Sequence, residues 1–430
     1  MGAAARQRGV AAIRADRAGV AALAALLVLV AFWGPGGTAA GGPMLQDPAT
    51  LGLLWQNSTG HNATLWSVRW SPDGSMLSAT YFDNSTVVFN ATTGARVVKL
   101  GSHPVPAGRC DGERKCTVPD HFPMRCSAWS PDGEYLAMGG DDRLVTLYRT
   151  SNWTEAMTLQ GHRGSVLTLE FSPDGRYLAS GSGTDKVEMN NDNDENSVRI
   201  WDVANSTAVR ELRGHQDGVM EVRWSPAGDR LVSVSDDKTI RLYRTSNWSL
   251  EGELRGHTLG VLCADFSPDG TMLVTGSRDY TVRLWDLDLA NFSQGQRAVM
   301  HPAAKWTSPN CVRSVDWHPG GELISSSGVD ETMLSLRNAT TGAVLRTLTD
   351  SARTRSAVMS SRWSPDGGRL AAGAGKEAAL RVYGFGGHGA APAGGMPEWV
   401  PRFVLYSVLS TAIIIVYVPL AWRHMERERR

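Results

Sequence analysis

The sequence predicts an all-β fold in which one small unit is repeated seven times, and three observations predict it. A turn pentapeptide of the WSPDG type recurs seven times. Short strands with alternating apolar residues flank each copy. An acid stands six residues before the end of a third strand in all seven units. An acid occupies a given position about one time in ten by chance, so seven in register outweigh any single motif.

The pentapeptides are WSPDG at Trp70–Gly74 and Trp129–Gly133, FSPDG at Phe171–Gly175, WSPAG at Trp224–Gly228, FSPDG at Phe266–Gly270, WHPGG at Trp317–Gly321 and WSPDG at Trp363–Gly367. Pro presets φ at the first corner, and the final Gly supplies the left-handed residue that returns the chain into a hairpin. The strand Ser165–Phe171 shows the alternation before the turn and Arg176–Ser182 the strand after it. Third strands end at Phe89, Tyr148, Trp201, Tyr243, Trp285, Leu336 and Tyr383, with the registered acids Asp83, Asp142, Glu195, Asp237, Asp279, Asp330 and Glu377. Outer strands such as Ala95–Leu100 and Ala343–Leu348 complete four strands per unit. The seventh unit lacks one, because a Gly/Pro/Ala linker, residues 386–402, follows it. Thr50–Gln56 has the right character and is expected to close the ring beside residues 379–383, removing an edge that invites aggregation.

Gly161-His162, Gly214-His215 and Gly256-His257 precede first strands, and Trp201-Asp202 and Trp285-Asp286 end third strands. Over about residues 49–385 the chain thereby resembles the WD-repeat β-propellers. The resemblance implies a seven-bladed propeller and, in repeat five, a hydrogen-bonded set of His257, Thr275, Asp279 and Trp285. Such a set satisfies buried polar groups in sequence: carboxylate, imidazole, hydroxyl, indole. Repeat four keeps His215, Ser233 and Asp237 but has Tyr243 for Trp; repeat three offers His162, Ser180, Glu195 and Trp201. Repeats one, two, six and seven lack the complete pair of dipeptides, and apolar packing is expected to hold them instead.

Both ends differ from the repeat. Residues 18–33 are 16 uncharged, mostly apolar residues behind Arg6, Arg8, Arg14 and Arg17, the layout of a secretory signal over residues 1–40, either cleaved or kept as an anchor. Phe403–Trp422 is an uncharged run of 20, matching a bilayer core, and is expected to be a transmembrane helix. The Arg-rich tail, residues 423–430, places that end in the cytoplasm and residues 34–402 outside it.

Anchor spacings of 59, 42, 53, 42, 51 and 46 reveal three insertions. Gly101–Pro123 holds Cys110 and Cys116, which outside the cytoplasm form either a disulfide or two thiols. Gly183–Asn196 is acidic and amide-rich; it reads as a solvated loop, with calcium binding through Asp192 and Asp194 as the alternative. Leu287–Asn310 has no assignment. Cys126, Cys263 and Cys311 sit in or beside strands as small hydrophobes. Nine of the 14 Asn residues stand in Asn-x-Ser/Thr: Asn57, Asn62, Asn84, Asn90, Asn152, Asn205, Asn247, Asn291 and Asn338. They are candidate glycosylation sites, although Asn and Thr after a third strand also make good turns.

No nucleophile elbow, zincin motif, phosphate loop or dinucleotide fingerprint occurs, so no catalytic residue, metal or cofactor is expected. The first reading is a membrane-anchored, outward-facing interaction scaffold that binds a protein or cell-surface ligand. An extracytoplasmic enzyme or enzyme subunit using the channel, and an architectural glycosylated surface-layer component, are the alternatives. In the propeller geometry that the resemblance implies, the residues just before the registered acids, Phe82, Asp141, Asp194, Asp236, Arg278, Val329 and Lys376, form a candidate binding rim. The formal charge is zero, but the two ends carry net +3 and +2 and leave −5 on the rest. That balance argues against nucleic acid as the ligand.

Overall fold

The computed structural model describes residues 47–58, 63–101, 122–183, 196–287, 304–308, 311–328, 333–349, 357–375 and 378–385. Among them no helix is long and apolar enough to cross a membrane; the apolar segments 18–33 and 403–422 lie outside the described residues. So do the linker and tail, Cys110, Cys116, Glu195, Asp330, Glu377, the insertion residues 184–195, and Asn62 and Asn291.

Each pentapeptide closes its hairpin by the same local chemistry. Ser71 Oγ donates to Asp73 Oδ1 at 2.6 Å and accepts the Met76 N–H at 2.9 Å, while Gly74 takes φ +68. Ser130, Ser172, Ser267 and Ser364 repeat this with Asp132, Asp174, Asp269 and Asp366. Two copies depart from it. Ala227 offers no carboxylate, so Ser225 turns to Asp229 at 2.7 Å. In WHPGG the His318 ring replaces the hydroxyl, and its Nδ1 accepts the Gly320 N–H at 2.9 Å.

The strands form seven antiparallel sheets of four. These are the blades of a propeller, numbered here in chain order. Gly52–Ser58 supplies the outer strand of blade seven, pairing with Ala379–Gly384 from Gly52↔Gly384 to Ser58↔Ala379. The strand starts two residues after the expected Thr50, because Pro48–Thr50 forms a short 3-10 turn capped by Asp47. Trp55 Nε1 donates to the Ala91 carbonyl at 2.9 Å and Asn57 Nδ2 to that of Gly94 at 2.9 Å, tying the closing strand to blade one as well. The other expected outer strands run one residue later, Arg96–Gly101 and Val344–Thr349. Part of the unassigned Leu287–Asn310 is also strand: Ala304–Thr307 completes blade five beside Thr281–Asp286. Four residues after a long insertion are too few to show a period of two, which is why the sequence hides it.

The core lies between neighbouring blades. Val232, Ile240 and Leu242 of blade four pack on Val261, Phe266 and Trp285 of blade five, all fully or almost fully buried. Each such side chain contributes about 1.5–3 kcal/mol. Because strands alternate direction, the hairpin tips and the third-to-outer turns share one face of the ring. The second-to-third turns, which carry the registered acids, share the other face with the blade-to-blade loops.

Candidate functional site

The inner strand of every blade carries the same irregularity. Register slips between Leu65 and Ser67, Met124 and Cys126, Val166 and Thr168, Val219 and Glu221, Val261 and Cys263, Val312 and Ser314, and Val358 and Ser360. A bulge leaves one residue unopposed and re-aims its side chain. The extra residues are Trp66, Arg125, Leu167, Met220, Leu262, Arg313 and Met359, and all seven line the central channel.

Above this ring the channel opens into a mouth of about 300 Å³ whose wall includes Trp66, Arg125, Asp217, Asp236, Arg278 and Arg313. Arg125 donates to both carboxylate oxygens of Asp141, at 2.8 and 2.9 Å, and its guanidinium lies 4.9 Å from the Phe82 ring centre. Arg278 pairs with Asp236 at 3.0 Å. Phe82, Asp141, Asp236 and Arg278 therefore stand at the mouth; Asp194, Val329 and Lys376 lie outside the described residues.

Below, a space of about 70 Å³ narrows onto a charged layer. Arg69, Arg223 and Arg362 face Glu170, Glu221, Asp265 and Asp316. Glu221 Oε1 accepts from Arg362 Nη2 at 2.6 Å and Arg69 Nη2 at 3.4 Å, and Arg223 Nη2 lies 2.7 Å from it. The acids also staple blade to blade: Glu170 accepts the Trp224 N–H at 2.6 Å, Glu221 that of Ala264 at 2.9 Å, Asp265 that of Trp317 at 2.7 Å and Asp316 that of Trp363 at 2.6 Å. Four carboxyls against three cations leave one negative charge in excess. Burial, then the neighbouring Asp316, pushes Asp265 upward against Arg223 and Arg362; burial likewise raises Asp316. Burial also opposes the charge of Glu221, but its three arginines outweigh it and hold that carboxyl below its ordinary range. Sequence reasoning passed over this layer although a signal existed: the residue before the anchoring aromatic is charged in six of seven repeats.

The polar sets of the repeat sit between strands. In blade five His257 Nδ1 lies 3.0 Å from Asp279 Oδ2 and Nε2 lies 2.9 Å from Thr275 Oγ1, which accepts the Trp285 indole N–H at 2.9 Å. The carboxylate fixes the Nδ1–H tautomer, so Thr275 donates to Nε2. Burial opposes ionisation of Asp279, but hydrogen bonds from His257, Thr281 and the Thr258 backbone hold it well below its ordinary value. Blade four repeats the set with His215, Asp237 and Ser233. In blade three Ser180 joins His162 at 2.6 Å to Trp201 at 2.7 Å. Asp83 accepts from Ser85 Oγ and Asp142 from the Leu144 N–H, so these acids close turns.

Asn90 and Asn338 end third strands and Asn152, Asn205 and Asn247 follow them, on the face opposite the mouth, whereas Asn84 lies in a turn on the mouth side. Asn90, Asn152, Asn247 and Asn338 accept hydrogen bonds from residues two or three ahead, the turn role expected of them. Cys126 and Cys263 are buried, and burial raises both thiols far above the ordinary range. Cys311 is half-buried. Among the described residues no cluster of three His, Cys, Asp or Glu side chains is arranged to hold a metal.

Comparison with known proteins agrees with this geometry. The family described as "WD domain, G-beta repeat" matches residues 54–90, 112–149, 153–202, 206–244, 248–286 and 301–334. Protein HIRA of Oryza sativa subsp. japonica is 36% identical over 113 residues, 22% of this chain and 10% of that protein. Transcription initiation factor TFIID subunit 5 of Caenorhabditis elegans is 25% identical over 180 residues, 41% and 23% of the two chains. The beta chain of the guanine nucleotide-binding protein of Zea mays is 25% identical over 234 residues, 44% and 57% of the two. The chain thus spans between a tenth and rather more than half of these relatives. Seven four-stranded blades and a family match over more than half of its length show that the chain belongs to the WD domain, G-beta repeat family.

Proposed function

We propose that the chain is a membrane-anchored interaction scaffold without catalysis of its own, and that the channel-mouth face docks another protein outside the cytoplasm. The observation that carries this reading is the bulged ring: one Trp, two Arg, two Met and two Leu aimed into the channel. Trp, Met and Arg are enriched where protein interfaces are most buried, and Trp and Arg dominate their energetics. Phe82, Leu259 and Tyr280, between 42% and 52% exposed, surround it on loops of the same face. The remaining exposed large apolar residues, including Leu53, Val97, Val209, Leu250 and Val344, are distributed over outer strands of different blades. Of the seven candidate glycan positions among the described residues, five fall on the opposite face, so glycans there leave the mouth open. The apolar run 403–422 with its Arg-rich tail supports the tether and the outward placement. Two of the relatives are named as components of larger assemblies, which fits a scaffold.

Chemical cross-linking in the native membrane tests this. The full chain is expected to capture one reproducible protein, and Phe82→Ser with Tyr280→Ser to lose it. Unchanged capture by that double variant contradicts the reading.

A further inference from the structure

Of the three arginines described at the mouth, two are committed. Arg125 is held by Asp141 through two hydrogen bonds and Arg278 by Asp236. Arg313, the bulged residue of blade six, is different: among the described residues its guanidinium makes no hydrogen bond or ion pair and lies 4.6 Å from the centre of the Trp66 ring. A guanidinium carries five donors in a planar fork suited to a carboxylate, and leaving them unpaired in a partly desolvated site is costly. The surrounding bulged residues Leu167, Met220, Leu262 and Met359 are apolar, a wall for an aliphatic stem.

We infer that Arg313 anchors a single carboxylate of the docked partner, the side chain of an acidic residue in a peptide segment that enters the channel mouth. This rests on the docking role proposed above and names the chemistry that the same site recognises. A carboxylate matches the site better than a phosphate dianion does. Among the described residues of the wall one uncommitted cation is available, while Asp217 and Asp236 stand in the same wall and repel a second negative charge. Burial, and next to it the cations of Arg278 and Arg125, holds the Arg313 guanidinium below its ordinary value, and an entering anion relieves that repulsion.

Arginine-directed dicarbonyl labelling of the full chain, with the adduct located by peptide mass spectrometry, tests the assignment on the unmutated protein. The probes are blocked pentapeptides with a central Glu, Gln or phosphoserine. With a dissociation constant of about 1 mM, the Glu peptide at about 3 mM is expected to slow labelling of Arg313 roughly fourfold. The Gln peptide is expected to leave it unchanged. No slowing by the Glu peptide, or equal slowing by the Gln peptide, overturns the inference; stronger slowing by the phosphoserine peptide overturns the carboxylate in favour of a phosphate. Failure is separable from that of the docking role. Arg313→Gln is expected to weaken partner capture by at least about tenfold. If it retains capture while Phe82→Ser with Tyr280→Ser loses it, the carboxylate anchor fails and the docking face stands.

Discussion

Glu221 Oε1 of blade four accepts a hydrogen bond from Arg362 Nη2 of blade seven at 2.6 Å, across the central channel. With Arg69 of blade one and Arg223 beside it, this carboxylate braces the ring from within and closes the channel beneath the mouth. A partner on that face therefore reads the rim and the bulged ring, not a through-hole.

Removing the brace takes from buried Arg69 the carboxylate it pairs with, while Arg223 keeps Glu170 and Arg362 keeps Asp316. Glu221→Ala is expected to cost about 3–5 kcal/mol in denaturant unfolding, because an uncompensated buried charge is far worse than a removed pair. Glu221→Gln with Arg362→Gln is expected to cost less than the sum of the single changes by about 1–3 kcal/mol. Simple additivity in that cycle refutes the brace.

The charged layer also sets a pH dependence. Asp265 is raised in the folded chain toward about 7, so the folded state binds its proton more tightly than the unfolded chain does. That stabilisation is complete below the ordinary carboxylate value and is lost as pH rises through about 7. Asp237 and Asp279 have the opposite sign: held low, they stabilise above their ordinary values and lose that contribution on acidification. Asp265→Asn, which still accepts the Trp317 N–H, is expected to match the unmutated chain near pH 3 and to exceed it near pH 8 by on the order of 4 kcal/mol. Thermal unfolding curves that stay parallel between those pH values contradict the assignment.

Thr275 serves two partners at once. Thr275→Val strands the His257 ring nitrogen and the Trp285 indole N–H in a buried site and is expected to destabilise by about 2–4 kcal/mol. Thr258→Val, at an exposed loop position, is expected to stay within about 0.5 kcal/mol. Equal effects in denaturant titrations rule out the shared hydroxyl as a structural link.

Ring closure depends on the strand Gly52–Ser58. Trp55 packs against blade one and would meet a methyl group on Gly94 at 2.9 Å, so the fit is close. Leu51 is fully buried. Trp55→Ala is expected to cost about 2–5 kcal/mol and to speed proteolysis at the seam between blades one and seven, whereas Leu51→Ala, at a side chain that packs with Leu334, Leu336 and Trp363, is expected to cost as much and to loosen the seam between blades six and seven. Cleavage starting at another seam refutes this view of closure.

Much of the ring was legible because its unit repeats: the WSPDG turns, the registered acids and the closing strand are local chemistry that recurs at readable spacing. The outer strand Ala304–Thr307 was not, since four residues behind an insertion carry no period. The bulged ring escaped for a different reason. Trp66, Arg125 and Arg313 look like ordinary strand residues until register slips turn them into the channel, and a slip is a property of two strands. The pairing of Arg362 with Glu221 across the channel lies further still from sequence, because 141 positions separate them and only ring closure brings them together.

Site-specific photo-cross-linking in the native membrane, with a benzoyl-phenylalanine introduced in turn at Tyr280 on the mouth face and at Leu250 on an outer strand, tests the docking face most directly. One reproducible protein adduct is expected from position 280 and none from position 250. Adducts from position 250 alone, or the same adducts from both, would contradict docking at the mouth.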